Sequence, residues 1–395
     1  MSRSISGLRA AFAGMCALAV AMGVGRFAFT PVLPMMQTDA GLTLKFAGWL
    51  AAANYIGYFL GALSAIRLRV REAVIIRIAL LAVVVLTAGM GFTHSPAVWL
   101  VLRGLAGVAS AWVLVFASAW SLQMLTALKQ PWLGGMVFGG VGLGIMFAGG
   151  LCLVLLHFSA TSELTWIALG LLALLLMLPT GPIYRATPSA DHNSTGRDQP
   201  PPGGRRYLLP AICYGVFGFG YIIPATFLPA MAKRIIPDPA IFGWTWPLFG
   251  LAALLSPLLA GRLGAHFTNR RIWAVAQLLM AVGVILPVIW TNIAAIGLAA
   301  LCVGGTFMVI TLAGLQEARR LAPQRPAGLM AVMTSMFAVG QILGPVLVSV
   351  MAGKSWGFTL ALAVATVLLA ASALALWRSH QTADAGIAVS QKSSA

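Results

Sequence analysis

Charge is what this sequence has least of, and acidic charge least of all. Only 8% of its 395 residues are Asp, Glu, Lys or Arg and 60% are hydrophobic, whereas about a quarter of the residues of a soluble domain are charged. Such a chain cannot clothe itself in a water-facing shell. A soluble globular domain is excluded, and a protein that crosses a lipid bilayer many times is implied. Eight acidic residues stand against 25 basic ones, a net charge of +17. The basic residues are scattered between apolar runs and accompany no aromatic-basic module, so nucleic acid is not the expected partner. Cysteine is scarce too. Cys16, Cys152, Cys213 and Cys302 each lie inside an apolar run without C-x-x-C spacing, which speaks against a disulfide framework or a metal site and for small buried hydrophobes. The five histidines fall in loops or at the ends of runs, none paired at metal-ligand spacing. No acid-base or nucleophile constellation is present, so neither catalysis nor a cofactor is expected. The apolar run after Met1 to Arg9 is too long for a cleavable signal and lacks a small-residue cleavage site, so it reads as the first membrane span.

Apolar runs near the length of about 20 residues that a helix needs to cross a bilayer fall at 10–36, 46–66, 73–92, 97–121, 132–156, 164–184, 207–231, 241–261, 272–290, 293–316, 327–352 and 356–377. Twelve helices are expected. Placing the N-terminus inside puts nineteen of the 25 basic residues on one side and four on the other, with Arg26 and Arg103 left within spans. Because cytoplasmic loops retain Lys and Arg, both termini are expected in the cytoplasm. Residues 185–206 are rich in Pro, Gly, Ser and Asp and read as a cytoplasmic linker without an apolar face to bury. It separates a first unit, 1–184, from a second, 207–380. Residues 381–395 read as a disordered tail.

The two units are copies. Gly23-Val24-Gly25-Arg26-Phe27-Ala28-Phe29-Thr30-Pro31-Val32-Leu33-Pro34-Met35-Met36 returns 195 residues later as Gly218-Phe219-Gly220-Tyr221-Ile222-Ile223-Pro224-Ala225-Thr226-Phe227-Leu228-Pro229-Ala230-Met231. Gly23/Gly218, Gly25/Gly220, Leu33/Leu228, Pro34/Pro229 and Met36/Met231 match without a gap, and Gly48-Trp49 then falls on Gly243-Trp244. Arg26 has become Tyr221.

Further motifs give the architecture a family likeness. The short basic loops that follow Gly61 and Gly261 carry Arg67, Arg69 and Arg71 in the first copy and Arg262, Gly264, Arg270 and Arg271 in the second. The fourth span holds Leu102-Arg103-Gly104-Leu105-Ala106-Gly107. The fifth holds Gly139-Gly140-Val141-Gly142-Leu143-Gly144, and the eleventh Gly340-Gln341-Ile342-Leu343-Gly344-Pro345. Together with the duplication and the central linker, these resemble the major facilitator superfamily, whose loop motif has an Asp-Arg pair between glycines. Here Ala65 and Gly261 stand about where the acid would be. The opening Gly-x-Gly-Arg-Phe-x-Phe-Thr-Pro-x-Leu-Pro run is similar to that of the YbfB/YjiJ-type group. The resemblance implies an all-α membrane protein of two pseudo-symmetric six-helix bundles. It further implies a monomeric secondary transporter of the bacterial inner membrane, working by alternating access and coupled to a proton or a counter-anion.

At 1.5 Å per residue, Arg26 lies about 25 Å from Arg9 and about 17 Å from Gln37, too deep to snorkel to either surface. A central arginine costs about 2.5–3.5 kcal/mol on insertion scales, so it should meet a watery cavity or a partner. Arg103 is the other buried charge, and no carboxylate stands near either at mid-membrane. The missing counter-charge is then expected to be the substrate, a small organic anion. Around it the sequence offers Asn54 and Tyr58, on one face of the second span at i, i+4; Tyr221 in the seventh span; and Gln341 in the eleventh. Asn54 and Gln341 have a plainer reading as glue between helices, Arg103 could equally serve the cavity or tie helices together, and Arg26 could instead hold carbonyls freed by Pro31 and Pro34. In that case the chain would be an exporter of neutral or amphipathic compounds. Trp112 and Trp246 are placed where a ring could line the path. Glu317, beside Arg319 and Arg320, reads as a salt-bridged latch that gates the cytoplasmic end. A membrane enzyme or sensor lacks both the chemistry and an output domain.

Overall fold

The first apolar run does not form one helix. In the computed structural model, which describes residues 6–68, 70–186, 205–235, 244–264, 266–290, 292–351 and 357–393, α1 (Gly7–Leu18) passes into a π-helical turn (Ala19–Val24), and α2 (Phe29–Asp39) starts only after a turn over residues 25–28. Two i→i−5 bonds widen the spiral, Gly25 N to Val20 O at 2.9 Å and Phe27 N to Met22 O at 3.1 Å. Pro31 has no N–H to return to the Phe27 carbonyl, so the α-helical ladder lacks that bond and continues with Val32 N to Ala28 O at 3.3 Å. The break sits at Arg26.

The following elements keep close to the apolar runs: α3 (Leu44–Ala65), α4 (Glu72–Gly89), α5 (Pro96–Ala127), α6 (Gly134–His157), α7 (Ser162–Met177), α8 (Thr180–Ala186), α9 (Arg205–Ile235), α10 (Thr245–Leu263), α11 (Asn269–Ile289), α12 (Ile293–Leu321), α13 (Pro326–Met351) and α14 (Gly357–Ser393). Side chains cap several starts. Thr43 Oγ1 accepts from Phe46 N at 3.2 Å, Thr161 Oγ1 from Leu164 N at 3.3 Å and Asn292 Oδ1 from Ala295 N at 2.8 Å. Asp39 closes the first span by accepting from Ser162 N and, at 2.8 Å, from Ser162 Oγ, which ties the end of α2 to the start of α7.

Among the described residues eleven helical spans are long and apolar enough to cross a membrane, counting Gly7–Asp39 as one. The sixth expected span departs from 164–184. Pro179 stops its helix at Met177, leaving an apolar helix of 16 residues, and the chain resumes as the short α8. Residues 187–204 of the expected linker lie outside the described residues, as do residues 394–395. The last helix runs on to Ser393, through most of the segment that composition suggested would be disordered.

Helix pairs recur in the two copies. The first span packs on α6 as α9 packs on α13; α3 on α5 as α10 on α12; α4 on α7 as α11 on α14. The most extensive contacts between the copies are α6 with α10 and α3 with α13, and these two exchange under the repeat. Glycine permits the closest approaches. A Cβ on Gly142 would run into the backbone of Leu254 and Gly250, so α6 and α10 touch main chain to main chain. Gly23 lies on the backbone of Gly144 in α6, and its copy Gly218 lies on the Phe337 carbonyl in α13. The repeated glycines thus do the same work twice. Leu81, Val85, Leu171, Leu175, Leu278 and Val282 turn outward, as a lipid-facing surface requires.

Candidate functional site

The break in the first span leaves carbonyls without helical partners. Arg103, on α5, answers them: its Nη1 donates to Gly25 O at 3.1 Å and its Nη2 to Arg26 O at 3.3 Å. Its guanidinium lies 5.0 Å from the Phe29 ring centre. Ser110 on the same helix donates to Ala21 O at 2.7 Å, inside the π-helical turn. Asn54 Nδ2 in turn donates to Arg103 O at 3.0 Å, fastening α3 to α5. Expected around the substrate, Arg103 and Asn54 instead hold the backbone that presents Arg26.

Arg26 itself is 4% exposed. Its Nη2 donates to Gln341 Oε1, a bond that joins the first copy to the second. The remaining nitrogens, Nε and Nη1, are buried and have no hydrogen-bond partner. Rings surround the charge. The guanidinium carbon stands 4.0 Å from the centre of Tyr58, 5.4 Å from Tyr55, 5.7 Å from Phe27 and 5.9 Å from Phe337, within the range at which a ring face attracts a cation. Tyr58 OH, Tyr221 OH and Gln341 Nε2 are also buried without partners. Tyr221 stacks on Phe307 at 5.1 Å and 15°, and on Phe337 at 6.3 Å and 24°. The structure therefore brings Arg26, Tyr58 and Gln341 into contact and places Tyr221 one ring away, across Phe337. A buried cation with two idle donors, flanked by idle hydroxyl and amide groups, has hydrogen-bonding capacity left for an acceptor.

Glu317 is 1% exposed and lies at the basic-rich end of α12. Its partners are Arg270 of α11, Nε to Oε1 at 2.7 Å, and Arg320, Nε to Oε2 at 2.8 Å. Arg270 Nη1 also donates to Ser379 O and Oγ of α14, at 3.3 and 3.2 Å. The cluster binds three helices of the second copy to one another, with Arg270 where the sequence suggested Arg319. A tie across the copies is found instead at Arg325, whose Nη2 donates to Ile66 O at 2.8 Å. Trp112 Nε1 donates to Ser64 Oγ at 2.9 Å, which joins α5 to α3. Among the described residues no three His, Cys, Asp or Glu side chains come together as a metal site would need.

Sequence reasoning missed the rings. Phe27 and Tyr55 adjoin residues it did select, Arg26 and Asn54, and that adjacency was the available signal. Phe307 and Phe337 look like ordinary core residues in their spans and carry no signal.

Residues 18–377 match the family described as uncharacterised MFS-type transporter YbfB. A comparison with curated proteins gives no match.

Proposed function

The chain belongs to the family of YbfB-type transporters of the major facilitator superfamily, and from that membership we propose that it moves a small organic anion across the membrane by alternating access, with Arg26 as the anchor. The observation that carries this reading is the buried guanidinium with two unpartnered nitrogens, whose third nitrogen is held by the neutral amide of Gln341. An incoming carboxylate would accept from those nitrogens and turn an uncompensated charge into a charge-assisted pair. Tyr58, Tyr221 and Gln341 would complete the site.

The same proposal takes the chain as twelve helices in two six-helix bundles, the short α7 counting as the sixth span. The exchange of the α6–α10 and α3–α13 contacts under the repeat supports that arrangement. Arg26 and Gln341 stand on opposite sides of the bundle interface, so a substrate that takes Arg26 from Gln341 changes what joins the halves at mid-membrane. The bundles then rock about the glycine-lined α6–α10 contact. The proposal places the protein as a monomer in a bacterial inner membrane with both termini cytoplasmic, and couples transport to a proton or a counter-anion. A second reading, export of neutral or amphipathic compounds, is favoured by the existing Arg26–Gln341 bond and the aromatic walls, which let Arg26 act as a clasp. Thermal stabilisation of the purified protein separates the two. Carboxylates should raise the melting temperature of the wild type and fail to do so in Arg26→Gln. Stabilisation by neutral compounds that survives Arg26→Gln would favour the exporter.

A further inference from the structure

Beyond the Arg26 pocket, the second copy contains a run of near-parallel rings. Tyr221 of α9 stacks on Phe307 of α12 at 5.1 Å and 15°; Phe307 faces Phe249 of α10 at 5.3 Å and 22°; and Phe249 faces Trp246, at the start of α10, at 5.3 Å and 5°. Phe27, next to Arg26 in the chain, meets Phe307 edge-on at 6.1 Å and 78°, so the ladder starts beside the charge. Its far end carries Trp246 Nε1, buried and unpartnered, and its near end the unpartnered Tyr221 hydroxyl. The rings occupy one another's faces, so a flat apolar body would meet the edges of the ladder, in the edge-to-face geometry that aromatic pairs favour.

The charges restrict the ligand from the other side. Arg103 has both Nη groups committed to backbone carbonyls and keeps only Nε without a partner, whereas Arg26 has two nitrogens, Nε and Nη1, to offer. One carboxylate is matched. A second carboxylate on the same ligand would lie among the rings with hydroxyl, amide and indole groups as its partners, and a buried charge without a counter-charge is strongly disfavoured. We infer that the substrate class is a monocarboxylate with a ring-bearing apolar body, its carboxylate on Arg26 and its body along the ladder from Tyr221 toward Trp246. This rests on the anion reading above and narrows it.

The test is a thermal-shift panel on the full-length protein in detergent with benzoate, 4-hydroxybenzoate, acetate, succinate and benzyl alcohol at millimolar concentration. Wild type, Arg26→Gln and Phe307→Leu are compared, with Phe249→Leu as a second ladder variant should Phe307→Leu fold poorly. The expected result is stabilisation of the wild type by the two aromatic acids above all others. It should be lost in Arg26→Gln and weakened about 3- to 10-fold in apparent affinity by the ladder variants, while any response to acetate is unchanged by them. Acetate or succinate acting at least as well as benzoate, and through Arg26, would overturn the ring-bearing class and leave the anion site standing. Benzyl alcohol acting equally on the wild type and Arg26→Gln would overturn both. Failure of both aromatic acids to stabilise the wild type would overturn the ring-bearing class.

Discussion

Replacing Arg103 by Met should destabilise the empty protein, whereas the same change at Arg26 should not. Arg103 donates two charged hydrogen bonds, to Gly25 O and Arg26 O. At about 1.5–3 kcal/mol each their loss amounts to roughly 3–6 kcal/mol. Removing the charge recovers about 2.5–3.5 kcal/mol of insertion cost. The balance runs from a gain of about 0.5 to a loss of about 3.5 kcal/mol, a loss over most of that range, and it falls on the break that presents Arg26. Arg26 makes one such bond, to Gln341, and leaves two nitrogens idle, so for Arg26→Met the recovered cost about matches what is lost, the contact with the Tyr58 ring included. The assay is the melting temperature of detergent-purified protein without ligand. Arg103→Met should melt lower than wild type, and Arg26→Met at the wild-type temperature or above. The reverse order would refute the division of labour between the two arginines. So would an Arg103→Met protein that melts normally yet no longer responds to any carboxylate.

Two further outcomes follow from the ion pairs and from the charge distribution. Glu317→Leu leaves Arg270, a partly buried arginine, without its carboxylate. Breaking a buried pair costs about 3–5 kcal/mol, so the empty protein should melt well below wild type, with Glu317→Gln intermediate because its amide oxygen still accepts. Carboxylate responses should persist in Glu317→Gln, and a normal melting temperature with flux abolished would instead place Glu317 in the transport step. For orientation, Ser194→Cys in a background without Cys16, Cys152, Cys213 and Cys302 should resist an impermeant thiol reagent in intact cells and label after permeabilisation. Labelling in intact cells would invert the assigned topology.

Most of the helix layout could be read from the sequence, because a bilayer demands about 20 apolar residues per crossing and charged or Pro-rich segments mark the breaks. The sixth span misled, since Leu178 and Pro179 sit in an apolar run whose hydropathy does not register a missing backbone donor. The depth of Arg26 was legible from counting. Its partner Gln341 was not paired with it in advance, since 315 residues separate them and only tertiary packing brings them together. Arg103 and Asn54 were selected for being polar and buried, but that property does not distinguish a group facing a ligand from one facing a carbonyl. The sequence does not mark the helical break, where Gly25 O and Arg26 O receive the Arg103 guanidinium. Glu317 was read with both Arg319 and Arg320; helix geometry at i, i+3 selects Arg320, and tertiary packing added Arg270.

The most direct test of Arg26 as the anion anchor is flux into proteoliposomes of labelled benzoate, or of whichever carboxylate in the panel stabilises the wild type most. Wild type, Arg26→Lys and Arg26→Gln would be reconstituted in equal amounts after their empty melting temperatures are matched. Losing a hydrogen-bonded charge of about 1.5–3 kcal/mol should weaken apparent affinity roughly 10- to 150-fold in Arg26→Gln. Arg26→Lys, which keeps the charge but loses the planar fork, should fall between. Arg26→Gln carrying the anion with wild-type affinity would contradict the account.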